Sequence, residues 1–267
     1  MRKLKIAALL ALALCLVAAT WAVGATYLVY EKYGGTWQDA NKSTSNPDDD
    51  LMCWAAAASN VLAWGGWGTK AYSTAQAIFQ YTVDHWTNRL GWARNVWKWW
   101  FNGSSPPVSS YAYVDVQGGG NFYPHLNVND YYHDIYNNLM ATIDRDLNSG
   151  YGIALTIYRL DGGYGHVVTC WGLDYELVGT NKNYKGIYIT DSDDGLFGQV
   201  YYPLVWANNL WQLGGRYQGW YLSSASALLF NPFAPQDQIV TPLPSSLVLL
   251  STALALGLAL RRHKNRL

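Results

Sequence analysis

Apolar residues change their spacing about midway along the chain. From Cys53 to Trp64 a nearly unbroken apolar run, with Ala55 to Ala58 at its centre, stops at Gly65-Gly66 and predicts a helix. Ala75, Ile78, Phe79 and Val83 share one face at helical steps and predict a second helix over 73–89. Ile135, Leu139, Ile143 and Leu147 recur at i, i+4, with Gly150 just beyond, and predict a third over 129–148. Past Gly150 the period drops to two. Segments 153–158, 166–175, 186–190 and 199–202 read as strands, separated by glycine and Asn-Lys-Asn turns. Helices first and strands afterwards predict an α+β domain with a mainly antiparallel sheet. The Gly/Ser/Pro stretch 102–110 and Gly118-Gly-Gly-Asn121 read as loops between the halves.

The ends follow a different logic. Arg2, Lys3 and Lys5 precede an apolar run from Ile6 to Val17, and the small residues Ala22-Val23-Gly24-Ala25 follow. This pattern predicts a secretory signal peptide over 1–25. At the other end Thr241-Pro-Leu-Pro-Ser-Ser246 leads into an uncharged run at 247–260 and then into Arg261-Arg-His-Lys-Asn-Arg-Leu267. The reading is a linker and sorting motif at 234–246, a hydrophobic transmembrane segment at 247–260 and a basic cytoplasmic tail at 261–267. The tail resembles the PEP-CTERM sorting signals of Gram-negative bacteria, with Pro-Leu-Pro in place of Pro-Glu-Pro. That resemblance implies an exosortase-like sorting enzyme as a partner and a cell-surface location, anchored or released. A plain membrane anchor is the alternative, and it too puts the domain outside the cytoplasm.

Charge alters once the ends are set aside. The chain is formally neutral, with 18 basic and 18 acidic residues. Arg2, Lys3, Lys5, Arg261, Arg262, Lys264 and Arg266 all lie in the ends, so segment 26–233 is acidic. An acidic domain lacks the basic surface that phosphates demand, and nucleic acid is not an expected partner. Nothing within 26–233 looks like a linker, so it reads as one domain. The chain's 14 Trp, all but Trp21 in this segment, and its 21 Tyr supply an aromatic core and many aromatic surface positions.

Three segments carry candidate chemistry. In Asp48-Asp-Asp-Leu-Met-Cys-Trp54, Asp50 is placed to cap the first helix and Cys53 falls in its first turn. Exposed amides there stabilise a thiolate, the aspartates oppose it, and an adjacent imidazolium would settle the balance. The bland reading of Cys53 is a small buried hydrophobe. In Gly162-Gly-Tyr-Gly-His-Val-Val-Thr-Cys-Trp-Gly172, strand parity puts His166, Val168 and Cys170 on one face. His166 can therefore face a cleft, or be a satisfied core histidine. Asp191 and Asp193 share parity at a strand end, so one can accept the His166 ring N–H. Asp191-Ser-Asp-Asp-Gly195 has a superficial calcium-loop look, but its glycine comes one position early and Tyr202 stands where the bidentate Glu belongs. No histidine pair has metal spacing. Two cysteines in an exported domain invite a disulfide. A Cys53–Cys170 bridge would consume the nucleophile, and Cys170 reads as free and buried. Cys, then His, then Asp along the chain resembles the layout of a papain-like cysteine peptidase.

Trp37-Gln-Asp-Ala-Asn-Lys42, Asp49-Asp-Leu-Met-Cys53, the Ala-rich helix with Asn60, Leu62 and Trp64, segment 150–158, His166 to Tyr175 and Lys185 to Asp193 together resemble one family. It is that of the immunoglobulin-degrading cysteine proteases of streptococci, the IdeS or Mac family. The resemblance implies a papain-like fold, with an N-terminal helical part whose nucleophile helix packs on the sheet. It implies Cys53 as nucleophile, His166 as base and acid, Asp191 orienting the histidine, Asp193 as a second carboxylate and Lys42 stabilising the oxyanion. The sequence departs from the family at Trp54, where glycine is usual, and by one extra residue between Lys42 and Cys53. The expectation is an exported cysteine endopeptidase that needs no metal or organic cofactor and acts on a protein or peptide. Two alternatives are a non-catalytic surface or matrix module on the same fold and a Cys-dependent acyltransferase or amidase.

Overall fold

The computed structural model describes residues 23–43, 45, 47–193 and 195–234. Residues 1–22 of the expected signal peptide, and the sorting motif, hydrophobic segment and basic tail, lie outside the described residues. Val23, Gly24 and Ala25, also assigned to the signal peptide, are in a strand. No helix among the described residues is long and apolar enough to cross a membrane.

Strands β1 (Val23–Leu28), β2 (Tyr132–Ile135), β3 (Tyr151–Arg159), β4 (Gly165–Val178), β5 (Asn181–Thr190), β6 (Val200–Ala207), β7 (Leu210–Leu213) and β8 (Trp220–Leu229) form one sheet. Helices are α1 (Val29–Tyr33), α2 (Cys53–Trp64), α3 (Ala75–Val83), α4 (Ala93–Asn102) and α5 (Leu139–Asn148). Strands pair in the order β4-β3-β8-β7-β6-β5, and β5 pairs back onto β4. Six antiparallel strands thus close into a barrel. Register shifts between Cys170 and Gly172, between Asp174 and Tyr175, and between Thr156 and Ile157 mark the bulges that bend it. β4 outruns β3, and β1 pairs with the length left over. β8 outruns β7, and β2 does the same there. The two extra strands satisfy edges that would otherwise be bare.

This corrects the expected fold class. The α+β, papain-like arrangement of a nucleophile helix on a mainly antiparallel sheet is replaced by a closed six-stranded barrel with two extra strands, a mostly β fold. The helix expected over 129–148 starts late for a local reason. Ile135 continues the helical spacing of α5, yet Asn138 sits at φ 48° and breaks the helix ahead of Leu139. Residues 132–135 are taken instead by the free edge of β8. β1, β7 and β8 were not foreseen, and β3 to β6 run longer than their apolar stretches.

Two hydrophobic clusters result. Ile153, Leu155, Val168, Cys170, Ile187, Ile189, Leu204, Leu213, Leu222 and Ala225 come from all six barrel strands and fill its interior, joined by Met140, Ile143 and Leu147 of α5. The second cluster is helical and rich in tryptophan, with Trp54, Trp67, Trp86, Trp97, Trp99 and Trp100 buried. α2 joins the two. It is buried on all sides except Ala63, as expected of a helix apolar all round. Its close approach to β3 requires Gly152, where a Cβ would meet Val61 at 2.8 Å.

Local ends are set by specific groups. α3 is shorter than expected because the Thr74 hydroxyl accepts the Ala77 N–H at its start. Past its end, Trp86 bridges to Val114 instead of continuing the helix. α4 was not predicted. Its Val96, Trp97, Trp100 and Phe101 form the buried face, and it stops at Gly103.

Candidate active site

Cys53 opens α2, as the apolar run implied, but Asp50 does not cap the helix. Met52 holds the cap position, and its carbonyl accepts the N–H groups of Ala55 and Ala56. The amides of Cys53 and Trp54 therefore begin the helix ahead of its own hydrogen bonds. The Asp50 carbonyl instead accepts a hydrogen bond from Lys42 Nζ.

His166 is the second residue of β4, with Val168 and Cys170 behind it in the barrel interior. Asp191 follows the last residue of β5. The pairing of β4 with β5, Thr169 opposite Thr190, brings the two ends together. His166 Nε2 lies 2.7 Å from Asp191 Oδ1. That commitment leaves Nδ1 for Cys53, which interacts electrostatically with the ring. Cys53, His166 and Asp191 are 9 %, 7 % and 1 % exposed, so the line runs inward from the cleft.

Burial pushes the His166 pKa down, but its bond to Asp191, its interaction with Cys53 and the negative charge of both outweigh that and hold it up at about 10. Burial pushes Asp191 up, yet His166, Tyr217 and the Asp193 N–H all donate to it or neutralise it. It remains below the ordinary carboxylate range. Both shifts favour a protonated ring beside an ionised Asp191.

Asp193 lies on the other side of the ring. Its Oδ2 is 3.8 Å from His166 Nδ1, and its Oδ1 is 2.8 Å from Lys42 Nζ. The Lys42 N–H also donates to the Ser192 carbonyl at 3.2 Å, tying segment 37–42 to the end of β5. That segment is fixed from beneath. Asn60 Oδ1 accepts the Ala40 N–H at 2.7 Å while its amide donates to Thr169 Oγ1 at 3.0 Å, and the Thr190 hydroxyl donates to the Gln38 carbonyl. All five residues singled out from the sequence are thus brought together. Cys53, His166, Asp193 and Lys42 line a cleft of about 590 Å³, and Asp191 stands behind His166.

His166, Asp191 and Asp193 also have ligand-type atoms within 4.8 Å of one another, as a cation would need. Their charge is already answered, by the imidazole for Asp191 and by the Lys42 ammonium for Asp193. Cys53 and Cys170 are both free. Cys170 is sealed in the barrel, and burial pushes its thiol up to about 12.

Trp54 does not plug the cleft. Its ring is 1 % exposed, its N–H donates to the Arg89 carbonyl at 2.9 Å, and it meets Trp86 edge to face. Gly91 makes room for it, since a Cβ there would sit 2.6 Å from the ring. Tyr217 was missed altogether. Its hydroxyl donates to Asp191 Oδ2, and its ring lines the cleft 6.1 Å from that of His166. It sits in a 3-10 turn between β7 and β8, and nothing in its spacing connects it to Asp191.

The family model Mac 1 matches residues 109–201. The likeness to the Mac family read from the sequence is borne out over that stretch. The Mac 1 match carries His166, Asp191 and Asp193, and Cys53 and Lys42 fall outside it. No curated protein matches the chain.

Proposed function

We propose that this protein is a cysteine endopeptidase with Cys53 as nucleophile. The observation that carries the reading is the inward line of Cys53, His166 and Asp191 at the edge of an open cleft. The Mac 1 match over two of these three residues supports it.

The thiolate of Cys53 attacks the scissile carbonyl carbon. The oxyanion that forms is met by the Lys42 ammonium and by the Cys53 N–H at the start of α2. His166, protonated in the resting site, gives its proton to the leaving amine as the C–N bond breaks, and a thioester remains on Cys53. The neutral ring then takes a proton from water, which attacks the thioester and releases the acid. Asp191 holds the ring in the orientation that presents Nδ1 to sulfur, and it stabilises the imidazolium. Asp193 anchors Lys42 and adds a second carboxylate beside the ring. The domain spans 26–233 and is exported behind a signal peptide, with a sorting tail that holds it at the cell surface or is removed by an exosortase-like enzyme.

Stoichiometric alkylation by iodoacetamide, mapped by mass spectrometry, tests the nucleophile. Labelling is expected at Cys53 and not at Cys170, whose thiol is sealed and hard to ionise. Cleavage of a proteome-derived peptide library is expected for wild type and absent for Cys53→Ala. Cleavage that survives Cys53→Ala would sink the proposal, and transfer of acyl groups to added amines without hydrolysis would redirect it to an acyltransferase.

A further inference from the structure

A second concavity, of about 460 Å³, shares no lining residue with the catalytic cleft. It lies between the β6–β7 hairpin and the start of α5. Its volume falls within the ~300–1,000 Å³ of small-molecule sites. Trp206 and Tyr136 stand at it 55 % and 62 % exposed, an apolar display that the fold itself does not require.

The aromatic rings are held rigidly. Trp206 is directly opposite Trp211 in the β6–β7 register, and their rings lie 5.1 Å apart. The hairpin turns through Asn208 and Asn209, both at positive φ (53° and 61°), the tight two-residue turn that matches strand twist. Tyr184 packs edge to face on Trp211 at 5.8 Å, and its hydroxyl is tied to Asp144. The Tyr136 hydroxyl accepts from Arg94 at 3.3 Å. Ring faces are therefore pre-positioned, and no ordering of long side chains is needed to bind.

The polar groups of the bowl are neutral. Asn138 and Asn209 expose amides at its rim, Ser223 adds a hydroxyl, and no charged residue lines it. A phosphate, carboxylate or ammonium ligand would lose its hydration there without a counter-charge. A protein partner needs roughly 800 Å² per side, more than one small bowl presents. Flat aromatic faces with amide and hydroxyl groups at the edge suit a ligand with apolar C–H faces and many neutral hydroxyls. We propose that this bowl binds a neutral saccharide, one ring stacking on Trp206 and its hydroxyls bonded by Asn138 and Asn209. The site would tether the enzyme to glycan while leaving the cleft free.

The test uses the whole protein and four probes: cellohexaose, chitohexaose, maltohexaose and mannohexaose, each titrated by calorimetry. Binding of at least one is expected, weakened about tenfold or more by Trp206→Ala and by Tyr136→Ala. Both side chains are more than half exposed, so each variant should stay folded and label at Cys53 with iodoacetamide as wild type does. Cys53→Ala should bind saccharide normally, which separates this proposal from the peptidase reading. Failure of all four probes to bind, or binding that survives both aromatic substitutions, would overturn it.

Discussion

Asp191→Asn isolates what the buried carboxylate does. The amide keeps the carboxylate's shape, and its oxygen can still accept from His166 if its NH₂ turns toward Tyr217, whose hydroxyl can accept as well as donate. Charge is then the main loss. A hydrogen bond to an ionised partner contributes about 1.5–3 kcal/mol, against about 0.5–1.5 kcal/mol for a neutral pair. The difference, about 1–1.5 kcal/mol, corresponds to about one pH unit. His166, held at about 10 in the native protein, should therefore titrate about one pH unit lower in the variant. The alkaline limb of kcat/KM should move down by the same amount. The imidazolium is also the leaving-group acid, so kcat should fall about 10²- to 10⁴-fold. The assay is cleavage of a library-derived peptide between pH 5 and 11, paired with NMR titration of the ring. An alkaline limb and a ring titration at wild-type positions would refute the argument, whatever happened to the rate.

Other outcomes follow from the same geometry. Tyr217→Phe removes a hydrogen bond to the buried Asp191 carboxylate and should cost about 1.5–3 kcal/mol in urea unfolding, with a smaller fall in kcat than Asp191→Asn. Lys42→Met should lower kcat about 10²- to 10³-fold with KM little changed, because the oxyanion it is proposed to meet develops only in the transition state; an equal rise in KM would assign it to substrate binding. Asn60→Ala leaves the buried Ala40 N–H without a partner and should cost about 2 kcal/mol, read as a lower thermal midpoint. The pH dependence of stability has two opposite parts. His166 has a raised pKa on folding, so its contribution is whole below about 6.5 and is lost as pH rises through about 10. Asp191 has a lowered one, so its contribution is present above the ordinary value of 3.8 and is lost as pH falls below it. Urea midpoints at pH 3, 6 and 10 should be highest at 6.

Much of the site was legible because its residues lie at the ends of strongly patterned elements. Cys53 begins an apolar run that can only be a buried helix, and the strand parity that set His166 beside Val168 and Cys170 is observed. Tyr217 was not legible, since it reaches Asp191 from a turn 26 residues further along the chain. Asp50 was misread as a cap because residue type alone cannot distinguish a capping side chain from one whose carbonyl is used instead. Segment 132–135 was misread because Ile135 fits a helical period as well as a strand edge. The choice depended on a free edge of β8, 90 to 96 residues away, invisible to local spacing.

By itself the sequence determined the start and length of the helix that Cys53 opens, the core face of β4 and the residue types that meet in the cleft. Those properties follow from periodicity and side-chain chemistry, which act over a few residues. The tertiary structure decided that the sheet closes into a barrel, which brings Tyr217 to Asp191 and sets Asp193 between Lys42 and His166. Closure depends on bulges and on unequal strand lengths, whose effects add up around the whole ring of strands. No single segment carries that sum, so it exists only once the chain is folded.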